Sequence, residues 1–112
     1  MEYAELPEFS RELKQLKKKY RSLDDDVEKL KQTLAARLKQ EVSKNWTCLH
    51  QGEGVSIYKS RLACRYLRAT TMRVIYAYHT EPARTVFIEL YYKGDKERED
   101  QERIQAYLKE NA

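Results

Sequence analysis

The apolar residues of this 112-residue chain change their spacing once, from a helical period to a strand period. Between Pro7 and Val42 they recur every three or four residues, which is typical of helices that bury one face. From Val55 to Tyr92 they tend to alternate with polar residues, which is typical of strands in a sheet. Helices grouped before strands favour an α+β fold, because a parallel α/β sheet needs the two in alternation. A chain of this length is expected to form one domain, residues 1–112.

Two amphipathic helices are predicted in the first part of the chain. Their apolar stripes are Phe9, Leu13, Leu16 and Tyr20 in the first helix and Val27, Leu30, Leu34, Leu38 and Val42 in the second. Pro7 suits a first helical turn, and Ser22 followed by three aspartates is typical of a helix start. Because about two residues join the helices, they are expected to form an antiparallel hairpin whose stripes pack in the core.

Three strands are predicted after residue 54, with a short strand before Pro7 and a C-terminal helix. The strands are Val55–Leu62, Met72–His79 and Thr85–Tyr92, the short strand covers Glu2–Leu6, and the helix covers residues 97–110. Residues 43–54 are expected to be a loop, because Gly52 and Gly54 are typical of turns. The predicted fold is a two-helix N-terminal hairpin packed on one face of an antiparallel sheet of three to four strands, with a C-terminal helix.

The faces of the predicted sheet follow from strand alternation and from a hairpin centred near Pro82. Arg73 then lies opposite Tyr91, and Ile75 lies opposite Glu89. The face expected to pack on the helices carries Met72, Val74, Tyr76, Val86, Ile88 and Leu90. The other face, with Arg73, Glu89, Tyr91 and Phe87, is expected to be open or partly covered.

Basic residues interleaved with tyrosines fill the middle of the chain, where Gly54–Thr80 contains no acidic residue. They are Lys59, Arg61, Arg65, Arg68 and Arg73, and the tyrosines are Tyr58, Tyr66, Tyr76 and Tyr78. This composition suits phosphate contacts combined with base stacking. The alternative is that tyrosines are good strand formers and that the arginines solvate a sheet.

Composition excludes several other classes of protein. No apolar run approaches the roughly 20 residues needed to cross a bilayer, and no leader pattern is present, so no membrane association and a cytoplasmic location are expected. Cys48 and Cys64 are expected to be reduced. With His50 and His79 they are too dispersed for a metal site, and no cofactor is expected.

His79 is expected to be exposed at the hairpin end, and Trp46 is expected to cap the helical hairpin.

Three segments together resemble the RelE/ParE superfamily of type II toxins over nearly the whole length. They read "PEFSRELKQLKKKY", "SIYKSRL" and "MRVIYAYHTEPARTVFIELYYKGDKERED". The resemblance implies the family fold and a toxin that cleaves mRNA in the ribosomal A site without a metal. It also implies a cognate antitoxin protein that binds the toxin and blocks it.

The resemblance places the catalytic basic residues at Lys59, Arg61 and Arg73, with a further basic residue near Lys96 or Arg98. Further RNA-binding candidates are Arg65, Arg68 and Tyr91. The family's tyrosine near the start of the last helix is missing, because that region reads "EREDQERI" and Tyr107 lies more than two turns further on.

Cleavage by attack of a ribose 2′-hydroxyl requires a proton acceptor, stabilisation of the extra phosphate charge and a proton donor. Arg61 and Arg73 suit the charge-stabilising role, and Lys59, crowded by them, is a candidate proton acceptor. Glu89 is either a second base or an ion-pair partner of a neighbouring cation. Two other functions stay open: a ParE-like inhibitor of DNA gyrase, and a non-toxic member that only binds an antitoxin.

Overall fold

The computed structural model describes residues 2–36, 46–67 and 69–111. Its elements are β1 (Glu2–Glu5), α1 (Pro7–Lys19), α2 (Leu23–Ala36), β2 (Trp46–Gln51), β3 (Val55–Cys64), β4 (Ala69–Thr80), β5 (Ala83–Tyr92) and α3 (Gln101–Asn111). The predicted α+β class, with two N-terminal helices on a sheet and a C-terminal helix, is confirmed. Among these described residues, no helix is long and apolar enough to cross a membrane.

The helical hairpin packs on one face of the sheet through the predicted stripes. Phe9 of α1 is fully buried, and Val27, Leu30 and Leu34 of α2 are buried in the same core cluster. Leu38 and Val42 lie outside the described residues. The spacing of apolar residues was sufficient to identify these faces, because a helix that packs on a sheet buries one stripe.

The sheet has five strands in the order β1-β5-β4-β3-β2, and β1 runs parallel to β5. The predicted antiparallel sheet of three to four strands is therefore wrong in two respects. Residues 46–51 form the edge strand β2, although a loop was predicted there. A register shift between Cys48 and His50 interrupts its alternation, so the sequence shows no clean period of two. Trp46 belongs to this strand, and its side chain lies outside the described residues.

A β-bulge at Ile88 reverses part of the predicted facing in β5. Ile75 lies opposite Glu89 as predicted, but the next pair is Tyr76 with Phe87, so Ile88 is the extra residue. Between the bulge and the turn, Phe87 therefore packs on the helical side, and Val86 and Ile88 pack on the other side. An extra residue exchanges the faces of all residues beyond it, which alternation alone does not reveal.

The face turned away from the helical hairpin is not open, because α3 covers part of it. Ile104, Tyr107 and Leu108 of α3 pack against a second core cluster that includes Ile57 and Ile75. The sheet therefore has an apolar layer on each side. The surface left on the α3 side lies toward Arg61 and Arg73, beyond the contacts of the helix.

Candidate nucleic-acid interface

Three cations from adjacent strands lie on the α3 side of the sheet. Arg61 of β3 and Arg73 of β4 are directly opposed, and Lys59 lies two residues from Arg61 on the same face. Opposed residues of antiparallel strands have Cβ atoms about 4.5–5.5 Å apart. We refer to Lys59, Arg61 and Arg73 as the sheet-face cluster.

Burial and the neighbouring Arg61 both disfavour the charge of Arg73. Partial burial lowers the pKa of the Arg73 guanidinium, the neighbouring Arg61 lowers it further, and Tyr91 acts in the opposite direction. Arg73 Nη1 also donates a hydrogen bond of 3.0 Å to the Met72 carbonyl oxygen. Arg61 is exposed and Arg73 is half-buried, so the pair forms a concentrated positive charge at the surface.

Lys59 is bound to a carboxylate that the sequence did not predict in this site. Its Nζ donates to Glu99 Oε1 at 2.9 Å, and the Glu99 side chain is only 8% exposed. Burial acts to raise the pKa of Glu99, but hydrogen bonds from Lys59, from the backbone and from Gln101 lower it below its ordinary value. Lys59 therefore lies in an ion pair with Glu99, and its role as a proton acceptor stays a prediction.

Glu89 is fully buried and holds the segment between β5 and α3. Its carboxylate accepts hydrogen bonds from Lys96 Nζ and from the Asp100 backbone N–H, the latter at 2.7 Å. These contacts confirm the interpretation of Glu89 as an ion-pair partner of a neighbouring cation. They also fix the loop that carries Glu99, which explains how Glu99 reaches Lys59.

Tyr91 lies opposite Arg73 and is only 5% exposed. Burial, together with the charges of Glu99 and Glu89, raises its pKa to about 12 although Arg73 acts to lower it. The phenol therefore stays protonated at neutral pH. Lys96 Nζ lies 5.4 Å from the centre of its ring. Tyr91 therefore packs beside Arg73 with little of its ring exposed, and it offers little area on which a base could stack.

Arg65, another predicted RNA contact, does not join the cluster. Arg65 makes ion pairs with Asp25 at 3.0 Å and with Asp26 at 3.6 Å, which bind it to α2 on the helical side. Arg98 is exposed in the segment between β5 and α3. Arg68 lies outside the described residues.

Neither histidine contributes to the cluster. His79 was predicted to be exposed but is 8% exposed, because it lies on the α3 face, where its Nε2 makes a hydrogen bond with the Tyr107 hydroxyl. Burial lowers the pKa of His79, and Arg84 lowers it further. His50 lines an open groove of about 650 Å³ between the β2–β3 turn and the end of α3. Within the described part of the chain, no three His, Cys, Asp or Glu side chains are grouped to hold a metal ion.

Comparisons of the chain with protein-family models, with curated proteins and with solved structures found no match.

Proposed function

We propose that this protein is the toxin of a type II toxin–antitoxin pair, an endoribonuclease that cleaves mRNA on the ribosome. The observation that carries the proposal is the direct opposition of Arg61 and Arg73, with Lys59 on the same face. Like charges placed opposite each other destabilise a sheet. A bound phosphate would offset that repulsion, because arginine pairs bind phosphate oxygens through several hydrogen bonds at once.

The proposed reaction is an intramolecular phosphoryl transfer. The ribose 2′-oxygen forms a bond to the adjacent phosphorus, and the bond from phosphorus to the 5′-oxygen breaks, leaving a 2′,3′-cyclic phosphate and a 5′-hydroxyl. Arg61 and Arg73 stabilise the negative charge that develops on the phosphate oxygens.

The Lys59–Glu99 pair supplies groups for the two proton transfers. Glu99 is the proposed acceptor of the 2′-hydroxyl proton, since its lowered pKa keeps it ionised at neutral pH. Lys59, ion-paired with Glu99 at 2.9 Å, is the proposed donor to the departing 5′-oxygen. Tyr91, with its pKa of about 12, is unsuited to accept a proton.

Growth arrest and transcript mapping test the proposal. We expect Arg73→Ala, and Lys59→Ala combined with Arg61→Ala, to abolish growth arrest after induction while the proteins stay folded. Arg65→Ala is the matched control, because Arg65 is an exposed arginine that α2 carboxylates bind on the other side. Primer extension should show cuts within translated codons for the wild type and for the control. Full toxicity of the folded cluster variants would refute the assignment.

A binding protein without nuclease activity is the second candidate, and the Lys59–Glu99 ion pair favours it. Lys59 and Glu99 already satisfy each other, as they would if they only maintained the surface that an antitoxin covers. Glu99→Gln separates the two functions in a purified system. The nuclease loses cleavage of ribosome-bound mRNA, whereas a protein that only binds shows no cleavage before or after the change.

A further inference from the structure

A row of cations follows the outer side of α1, on the face of the sheet opposite to the sheet-face cluster. Arg11, Lys14 and Lys18 are exposed and are spaced by three and four residues. At 100° per residue they lie roughly 160° around the helix from the stripe formed by Phe9, Leu13, Leu16 and Tyr20. We refer to Arg11, Lys14 and Lys18 as the α1 row.

Local helix energetics explain Lys17, Lys19 and, through the helix dipole, Lys18, but not Arg11 and Lys14. Lys17 is paired with Asp24 at 3.0 Å, and Lys19 lies 5.5 Å from the centre of the Tyr20 ring. Cations in the last turn also interact favourably with the helix dipole. Arg11 and Lys14 lie before that turn, and Lys14 and Lys18 form a like-charge i,i+4 pair, which destabilises a helix.

Within the part of the chain that the structure describes, no carboxylate makes an ion pair with the row. The sequence from Leu13 to Leu23 contains no Asp or Glu, and across the described ranges none of the three row residues makes an ion pair. With a rise of about 1.5 Å per residue, the row is about 10 Å long. That length corresponds to about three successive phosphates of one strand in a duplex.

We infer that the α1 row is a second docking surface, which takes the phosphate backbone of double-stranded RNA. A single strand is disfavoured because α1 presents no exposed aromatic ring for base stacking; Phe9 and Tyr20 are both buried. An anionic membrane is disfavoured because the apolar stripe of α1 is already packed in the core and has nothing to insert. The choice of RNA among polyanions rests on the proposed function.

The two basic surfaces make the molecule bivalent toward RNA. The sheet-face cluster would hold the strand that is cut, and the α1 row would bind a neighbouring duplex from the opposite side. Two linked contacts raise the overall affinity without any new interaction at the cutting site.

The salt dependence of duplex binding tests the α1 row. The probe is a blunt RNA duplex with 2′-O-methyl riboses, which cannot be cleaved, and binding is followed by fluorescence anisotropy. Each lost phosphate contact lowers the slope of log K against log salt by about 0.9, so Lys14→Gln with Lys18→Gln should lower it by about 2. Between about 50 and 200 mM salt, the variant should lose about tenfold less affinity than the wild type.

The matched control is Lys93→Gln with Lys109→Gln, which removes the same charge from two exposed lysines outside the row. This control variant should keep the slope of the wild type, because neither lysine belongs to the α1 row or to the sheet-face cluster. An unchanged slope in the Lys14/Lys18 variant would overturn the inference. The inference would also be overturned if the Lys14/Lys18 variant bound the RNA duplex as well as the wild type but lost binding to polyglutamate or to anionic vesicles.

These outcomes are independent of the nuclease assay. If the wild type shows no cleavage but the Lys14/Lys18 variant loses its phosphate contacts, the proposed function fails and the docking surface stands. If the wild type cleaves mRNA but the Lys14/Lys18 variant keeps the wild-type salt slope, the proposed function stands and the docking surface fails.

Discussion

At the scale of single residues, the opposed arginines place two like charges side by side on the sheet surface. Arg61 and Arg73 face each other across β3 and β4, and partial burial together with this proximity lowers the pKa of Arg73. In the free protein, the repulsion between the two guanidinium groups opposes folding. The arrangement is typical of binding surfaces, where stability is lower than the sequence would otherwise allow.

Replacing one of these arginines should therefore stabilise the free protein. We expect Arg61→Gln to raise the free energy of unfolding by about 0.2–1 kcal/mol, because the like-charge repulsion is removed. Urea unfolding at low salt measures the change, and the gain should shrink at high salt. RNA binding should weaken in the same variant. Arg65→Gln, which loses its ion pairs with α2, should give no gain, and equal gains in both variants would contradict this explanation.

At the scale of elements, the bulge in β5 decides which aromatic residue enters the main core. Phe87 is fully buried and stacks on Phe9 with ring centres 5.3 Å apart, and it also lies 6.0 Å from Tyr3 and 6.2 Å from Tyr76. Without the extra Ile88, simple alternation would place Phe87 on the opposite face.

A truncation distinguishes the two placements of Phe87. We expect Phe87→Ala to cost about 3–5 kcal/mol of unfolding free energy, the range for a large aromatic removed from a core. Tyr66, which is 57% exposed, provides the control. Tyr66→Ala should change stability by about 0.5 kcal/mol or less, as is usual for exposed positions. Thermal or urea unfolding of both variants gives the comparison, and a small effect at Phe87 would contradict the bulge.

The contacts between α3 and the sheet include a hydrogen bond with a buried histidine. His79 makes a hydrogen bond with Tyr107 of α3, and it lies opposite Arg84 in the neighbouring strand. Burial and Arg84 both disfavour the imidazolium, so the pKa of His79 lies below its ordinary value of 6.5.

Acidification should therefore destabilise the protein through His79. The unfolded chain binds this proton more readily than the folded one, so the stabilisation is fully present above pH 6.5 and is lost as the pH falls through the lower pKa of the folded state. Urea midpoints measured between pH 7.5 and pH 5 check this, with His79→Gln expected to reduce the slope. His50→Gln, at the exposed histidine, should keep it. Equal slopes in the wild type and His79→Gln would show that another group is responsible.

At the scale of the whole molecule, the sheet separates two basic surfaces. The helical hairpin packs on one face, and its outer side carries the α1 row. The C-terminal helix covers part of the other face and leaves the sheet-face cluster at its margin. Glu89, buried beneath this second surface, holds the segment that brings Glu99 to Lys59. The fold thus supplies both the cations and the carboxylate that partly neutralises them.

The sequence by itself determined the helices, the three main strands and the pairing of Arg73 with Tyr91. These depend on the spacing of apolar residues and on a short turn near Pro82, which are local properties of the chain. The resemblance placed Lys59, Arg61 and Arg73 in one site, and the register brings them onto one face.

Only the tertiary structure decided the reversal at Ile88, the edge strand β2, the covering of the second face by α3, and the Lys59–Glu99 pair. Each depends on contacts between residues far apart in the chain. Glu99 lies 40 positions from Lys59, and the period of either segment carries no information about such a contact. A single extra residue in β5 leaves composition almost unchanged, yet it reverses the faces because side chains alternate along a strand.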